Sequence, residues 1–179
     1  MATTDNARIV QRPLAEHAWD LRKKYNLNRN MSKKAFMDWY DLGEIQLSTV
    51  YENLFVSTRQ LLGKPTVKES ADRYDFIDII SPGHKKILGD MKTSVLRKNG
   101  DKRRFVIPAV DQKIGNIYAV CWNWMTNKVC YFAIPPDEHG NHPKCGYKIM
   151  VCPNTGRKTG GWYNENCYYD SWEEMVSVD

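Results

Sequence analysis

The chain has 179 residues, 42% of them hydrophobic and 26% charged, with a net charge of +5 and a pI near 8.9. That is enough chain for one α/β domain with its own core. No stretch approaches the roughly 18 apolar residues of a membrane span, and the polar start from Met1 to Arg12 has no apolar signal core, so a cytoplasmic protein, neither secreted nor membrane-bound, is expected.

Residues 1–12 read as a loose tail. Pro13 to Tyr25 reads as a short helix, with Pro at an early position and Leu14, Ala18, Leu21 and Tyr25 on one face. Ser32 is placed to cap a second helix through Trp39. A longer helix is expected from about Leu42 to Leu62, with Leu47, Val50, Tyr51, Leu54, Thr58 and Leu61 as its apolar stripe, stopped by Gly63-Lys64-Pro65.

The period then changes to two. Tyr74 to Ile80 reads as a strand, Ser81-Pro82-Gly83-His84 as a turn, and Lys86 to Thr93 as a second strand. Arg97 to Arg104 reads as a basic loop with Asn99-Gly100 at its tip. Ile117 to Trp124 and Lys128 to Ile134 are two strands joined by Met125-Thr126-Asn127. Tyr147 to Cys152 is a further strand, Pro153 to Asn166 is Gly-rich and irregular, and Asp170 caps a last short helix through Met175. Helices followed by strands predict a mixed α/β fold, with a mostly antiparallel central sheet flanked by helices.

The five cysteines are Cys121, Cys130, Cys145, Cys152 and Cys167. Their number is odd and no Cys-x-x-Cys occurs, so thiols are expected rather than disulfides. A zinc set of His139, His142, Cys145 and Cys152 fits no standard ligand spacing. Trp122, Trp124, Trp162 and Trp172 are candidates for stacking on bases, although core positions are the commoner fate of such residues.

Charge is concentrated. Between Lys85 and Arg104 lie eight Lys or Arg and two Asp, leaving six net positive charges, more than the whole chain carries. Lys85, Lys86, Arg97, Lys98, Lys102, Arg103 and Arg104 are the candidate phosphate contacts of this segment.

The same segment holds the chemistry. Two acid-x-Lys tripeptides occur, Asp90-Met91-Lys92 and Asp111-Gln112-Lys113. Only the first sits in an evident strand, where residues two apart share a face. If the turn at 81–84 pairs Ile80 with Lys85, Asp75 falls directly opposite Asp90, with Cβ atoms roughly 4.5–5.5 Å apart. Two like charges so placed destabilise the hairpin, and a divalent cation between them reverses the sign. The same register puts Asp78 on the other face and Asp72 beyond the hairpin. Asp75, Asp90 and the Met91 carbonyl are thus candidate oxygen ligands for Mg2+, with Mn2+ as a substitute. Lys92 is placed to orient a metal-bound water and stabilise charge developing at phosphorus.

Tyr74-Asp75-Phe76-Ile77 and, fifteen residues on, Gly89-Asp90-Met91-Lys92-Thr93-Ser94 resemble the signature of the PD-(D/E)xK nuclease superfamily, the restriction-endonuclease-like fold. The resemblance covers roughly residues 42 to 134. It departs from the motif's name in having no Pro before Asp75 and Asp as the second acid. It implies a restriction-type double-strand endonuclease acting on DNA, or a structure-specific nuclease such as a junction resolvase; a non-catalytic basic DNA-binding module is the alternative. A double-strand cutter further implies a homodimer. The family often adds a Glu from the preceding helix; Glu44 and Glu52 are eight residues apart, and Glu52 is preferred because it is nearer the sheet. Gln112 is a further candidate by resemblance. The expected organisation is one nuclease domain over 1–179: tail 1–12, helical part 13–41, catalytic core 42–134 and C-terminal extension 135–179.

Overall fold

The computed structural model describes residues 2–69, 75–78, 88–99, 102–108, 115–136, 148–151 and 167–179. Three helices lead: α1 (Ala2–Lys24), α2 (Lys33–Asp41) and α3 (Leu47–Leu61). The expected tail at 1–12 is instead part of α1, with Pro13 inside the helix. Proline removes one helical hydrogen bond and normally ends a helix. Here the first half of α1 is tied to α2, because Tyr40 Oη donates to the Arg8 carbonyl (2.6 Å) and Arg12 pairs with Asp41.

Ser32 caps α2 as expected, accepting from the Ala35 amide at 3.1 Å. Helix α3 begins at Leu47, the first residue of its apolar stripe and five residues after the expected start at Leu42, because the chain first turns through Gly43 and Glu44. Leu47, Val50, Tyr51, Leu54 and Thr58 are buried as the periodicity requires, whereas Leu61 is exposed at the last turn. Gly63, at φ +80°, ends the helix there.

The strands are β1 (Thr66–Lys68), β2 (Phe76–Asp78), β3 (Leu88–Val95), β4 (Arg97–Asn99), β5 (Lys102–Pro108), β6 (Asn116–Asn123), β7 (Lys128–Ile134), β8 (Lys148–Val151) and β9 (Tyr168–Tyr169), followed by α4 (Trp172–Val176). Six form one sheet in the order β1-β2-β3-β6-β7-β9, and three form another in the order β4-β5-β8. In the large sheet every pairing is antiparallel except β3 with β6. The fold is therefore the expected mixed α/β one with a mostly antiparallel sheet and flanking helices.

Four local expectations change. The basic loop at 97–104 is a hairpin: β4 pairs β5 with Arg97 opposite Arg104 and Lys98 opposite Arg103. β1 and β9, three and two residues long, are too short to show periodicity. The cap of α4 is Ser171, which accepts from the Glu174 amide (3.1 Å), and not Asp170. Trp172 belongs to the core, 1% exposed, with its indole N–H on Thr58 Oγ1 at 3.1 Å, so it is no stacking platform.

Side chains alternate between the two faces of the large sheet. One face carries Phe76, Met91, Tyr118, Val120 and Ala133 against α1, α3 and α4. Phe55 of α3 stacks on Phe76 and Tyr118 with ring centroids 4.2 and 4.4 Å apart. The opposite face carries Ile117, Ala119, Cys121, Cys130, Phe132 and Ile134 against Leu96, Phe105, Ile107 and Cys167. Cys121 and Cys130 lie opposite each other on β6 and β7 as buried thiols, their pKa values raised by burial. Cys145, Cys152 and the whole candidate zinc set lie outside the described residues, as does Trp162. No helix among the described residues is long and apolar enough to cross a membrane.

Arg59, fully buried, ties α3 to the strands and the last turn of chain. Its guanidinium donates to Thr66 Oγ1 (2.9 Å), the Val176 and Val178 carbonyls (2.8 and 3.0 Å), Asp78 and Asp179. Removing one partner of a buried pair leaves the other charge unmatched, at a cost of about 3–5 kcal/mol. Arg59→Met should lose stability on that scale in urea denaturation, and a loss below about 1 kcal/mol would show that the network does not hold the fold.

His17 supplies a second buried polar link. Tyr51 Oη donates to the Leu14 carbonyl (2.8 Å), so its oxygen accepts from His17 Nδ1 (2.8 Å), and Tyr131 Oη donates to Nε2 (2.7 Å). Burial lowers the His17 pKa to about 4. The unfolded chain therefore takes up the proton first, and stability falls as pH drops from about 6.5 toward 4. A change of this size corresponds to about 3 kcal/mol. His17→Gln should flatten the stability–pH curve across that window; an unaltered curve would remove His17 as its source.

Candidate functional site

The site grows from the hairpin of β2 and β3. Phe76 lies opposite Gly89 and Ile77 opposite Leu88, and the Asp75 amide donates to the Gly89 carbonyl at 2.8 Å. The two paired positions have the register that the turn arithmetic expects, but the Asp75 amide bond to Gly89 is one residue out of it, so Asp75 stands beside Gly89 just before β2 and not in a regular pair with Asp90. The core enforces the register from both strands. Phe76 and Met91 are buried on the helix side, and Asp78 meets Arg59 there. Gly89 has no room for a side chain, because a Cβ would stand 2.6 Å from the Phe76 ring and 2.9 Å from the Asn116 carbonyl oxygen.

Alternation then sends Asp90 and Lys92 to the opposite face. Their neighbours across the parallel pairing are Ile117 and Ala119, both buried, so the site has an apolar floor. Asp90 is 3% exposed, and Lys92 Nζ lies 3.4 Å from its Oδ2. Asp75 is held differently: its Oδ2 accepts from the Met91 amide at 2.9 Å. Met91 thus contributes backbone to the site while its side chain fills the core.

Glu52 of α3 completes the group. Lys68 of β1 reaches it with Nζ 3.5 Å from Oε2 and also donates to Asn53 Oδ1 at 3.1 Å. Burial and then the Asp75 charge raise the Glu52 pKa, against the pull of Lys68 and Lys92. Burial likewise raises the Asp90 pKa, with Asp75 adding repulsion and Lys92 opposing it. Three carboxylates and two lysines are therefore electrostatically coupled. Glu44 is not among them: it precedes α3 and borders a separate surface hollow with Trp39 and Ile45. Lys68 was not singled out in the sequence, since its strand is too short to recognise.

Other candidates fall elsewhere. Asp78 faces α3 and is consumed by Arg59 and Thr66. Gln112 and its tripeptide, Asp72, Lys85 and Lys86 lie outside the described residues. Arg97 and Lys98 are exposed and Arg104 is half-buried in the β4–β5 hairpin. Trp122 packs partly against the helix-side core, while Trp124 is 46% exposed.

Among the described residues no three His, Cys, Asp or Glu are arranged to hold a metal ion. The donor chemistry fits a hard cation that needs fewer protein ligands. Magnesium usually takes one or two carboxylates and completes its shell with water and phosphate. Asp75 and Asp90 are such a pair, close enough for each charge to act on the other, with a third carboxylate near.

No protein-family description matches the sequence, and neither does any curated protein. Among solved structures, the bacterial homing endonuclease I-Ssp6803I matches with 16% identity and a TM-score of 0.37, over 73% of this chain and 89% of that one. A likeness of that degree carries no argument about activity.

The raised Asp90 pKa has a sign that can be tested. A carboxylate raised in the folded state favours folding below its ordinary range and opposes it once pH rises through the folded value. At neutral pH the uncharged Asp90→Asn chain should therefore be the more stable one, by about 1 kcal/mol or 2–4 °C in Tm. The gap should close in acid. A lower Tm at pH 7 would mean that the Lys92 contact outweighs burial and repulsion.

Proposed function

We propose that the chain is a metal-dependent DNA endonuclease of the PD-(D/E)xK type, most simply a restriction-type double-strand cutter. One observation carries the reading: the Asp75 carboxylate sits on the Met91 amide, between Asp90 and Lys92 in sequence, with Lys92 3.4 Å from Asp90 and Glu52 within reach of the Asp75 charge. Gathering like charges over an apolar floor destabilises the free protein, which is the arrangement expected where a cation and a phosphate are to be bound.

Asp75 and Asp90 would hold Mg2+, or Mn2+ in its place, with Glu52 and the Met91 carbonyl as further oxygen donors. The ion, when bound, supplies Lewis-acid polarisation of the phosphate and a water of lowered pKa. The protein's own groups do the rest. The Met91 amide fixes the Asp75 carboxylate in place. Lys92, held beside Asp90, orients the attacking water and stabilises negative charge as it builds at phosphorus. Lys68 pairs with Glu52 and opposes the rise that burial and Asp75 give its pKa. Ile117 and Ala119 exclude water beneath the reacting groups, which strengthens each of these interactions. The cationic hairpin at Arg97, Lys98 and Arg104 supplies phosphate contacts, and a two-fold dimer would supply the second active site that a double-strand cut needs.

Plasmid cleavage with Mg2+ under single-turnover conditions tests the reading. Lys92→Ala and Asp90→Ala should each slow cleavage about 100-fold or more while DNA binding changes by only a few-fold, because these groups act mainly in the transition state. Millimolar Mg2+ should raise the Tm of the wild-type chain and not that of Asp90→Ala. Wild-type cleavage by Lys92→Ala would place the active site elsewhere. Cleavage of branched DNA in preference to linear duplex would identify a junction resolvase, and tight binding without any cleavage would identify a binding module.

A further inference from the structure

The β4–β5 hairpin has a pairing that the fold alone does not explain. Arg97 stands opposite Arg104, and Lys98 opposite Arg103. Like charges directly opposed on a hairpin destabilise it. Among the described residues no carboxylate forms an ion pair with Arg97, Lys98 or Arg104. The ribbon is nevertheless anchored firmly at its root. The Leu96 amide donates to the Trp122 carbonyl (2.9 Å), Trp124 Nε1 donates to the Leu96 carbonyl (2.8 Å), and Ser94 Oγ donates to the Val106 carbonyl (2.9 Å). Phe105 and Ile107, on the next strand positions, are fully buried against the large sheet.

Alternation from those buried residues sets the outward face. Phe105 and Ile107 point inward, so Arg104 points outward, and its partner Arg97 shares that face. Lys98, next to Arg97, points to the other. An arginine fork matches guanine O6 and N7 with two hydrogen bonds, whereas lysine serves mainly as a point charge toward phosphate. The major groove of B-DNA admits a two-stranded β-ribbon.

Resting on the endonuclease reading above, we propose that the β4–β5 ribbon enters the DNA major groove and that Arg97 and Arg104 read guanine edges there, making this hairpin the sequence-specificity element. The ribbon is chained to the active site. Arg97 follows Lys92 by five positions, a backbone span of at most about 18 Å. At about 3.4 Å per base pair the bases read lie within about five base pairs of the cut phosphate.

The test selects bound duplexes from a randomised DNA library with the full-length chain, with Ca2+ replacing Mg2+, followed by methylation footprinting of guanine N7 on the selected site. The wild type should show base preference within about five base pairs of the cut, with guanine N7 protected. Arg97→Ala with Arg104→Ala should lose about 5- to 150-fold of discrimination at those positions. Lys98→Ala should weaken binding to all sequences alike and lower the salt slope by about one. Both substitutions relieve repulsion, and circular dichroism should show the fold retained. Unchanged base preference in the double variant, no preference in the wild type, or protection of adenine N3 in the minor groove would each overturn the assignment. Those results leave cleavage intact, whereas a chain that binds no DNA at all sinks the endonuclease reading as well.

Discussion

Asp78 can go only one way. A carboxylate in the second strand of a packed sheet must find a partner or face water, and the fully buried Arg59 on α3 provides the partner. That pairing fixes which side of β2 faces the helices. Asp75 lies just before β2, where its amide bonds the Gly89 carbonyl and its carboxylate the Met91 amide. The site is built around this: the Asp75 carboxylate reaches the Met91 amide, Asp90 and Lys92 share one face of β3 on either side of it, and Phe76 packs over Gly89. Arg59 also holds the Val176 and Val178 carbonyls, so the same guanidinium that orients β2 closes the helical layer through α4.

The two sides of the sheet are built for different ends. Toward the helices, aromatic rings and a satisfied buried pair give stability. On the other side, Asp90 is as buried as Asp78, but beside Lys92 at 3.4 Å and the Asp75 backbone it faces the repelling Asp75 charge. The chain thus contains one buried aspartate fully matched and another left under-matched, twelve residues apart. The contrast in their surroundings, rather than burial itself, separates a structural carboxylate from a candidate reactive one.

The hairpin was legible because it is local. A turn midpoint and period-two alternation are sequence facts, and Asp75, Asp78 and Asp90 give them chemical meaning. The helix caps at Ser32 and the glycine stop at Gly63 are local in the same way. Long-range pairing was not legible: nothing in β3 or β6 announces that they run parallel, and the apolar floor of Ile117 and Ala119 under the site depends on it. Pro13 misled because the compensating contacts to α1 come from Tyr40 and Asp41, some thirty residues away in sequence. In the 97–104 segment dense positive charge looked like a solvated loop, and the alternation beneath it became visible only once Phe105 and Ile107 were seen to be buried.

Because side chains in both strands hold the β2–β3 register, the link between them is released from that duty. Phe76, Asp78, Gly89 and Met91 are locked by the core whatever joins Asp78 to Leu88. A hairpin whose alignment depends on its turn tolerates no change of turn length, while this one can accept residues added between positions 79 and 87 without moving Asp75 away from Asp90. Changes of length in that link therefore come at little cost to the chemistry.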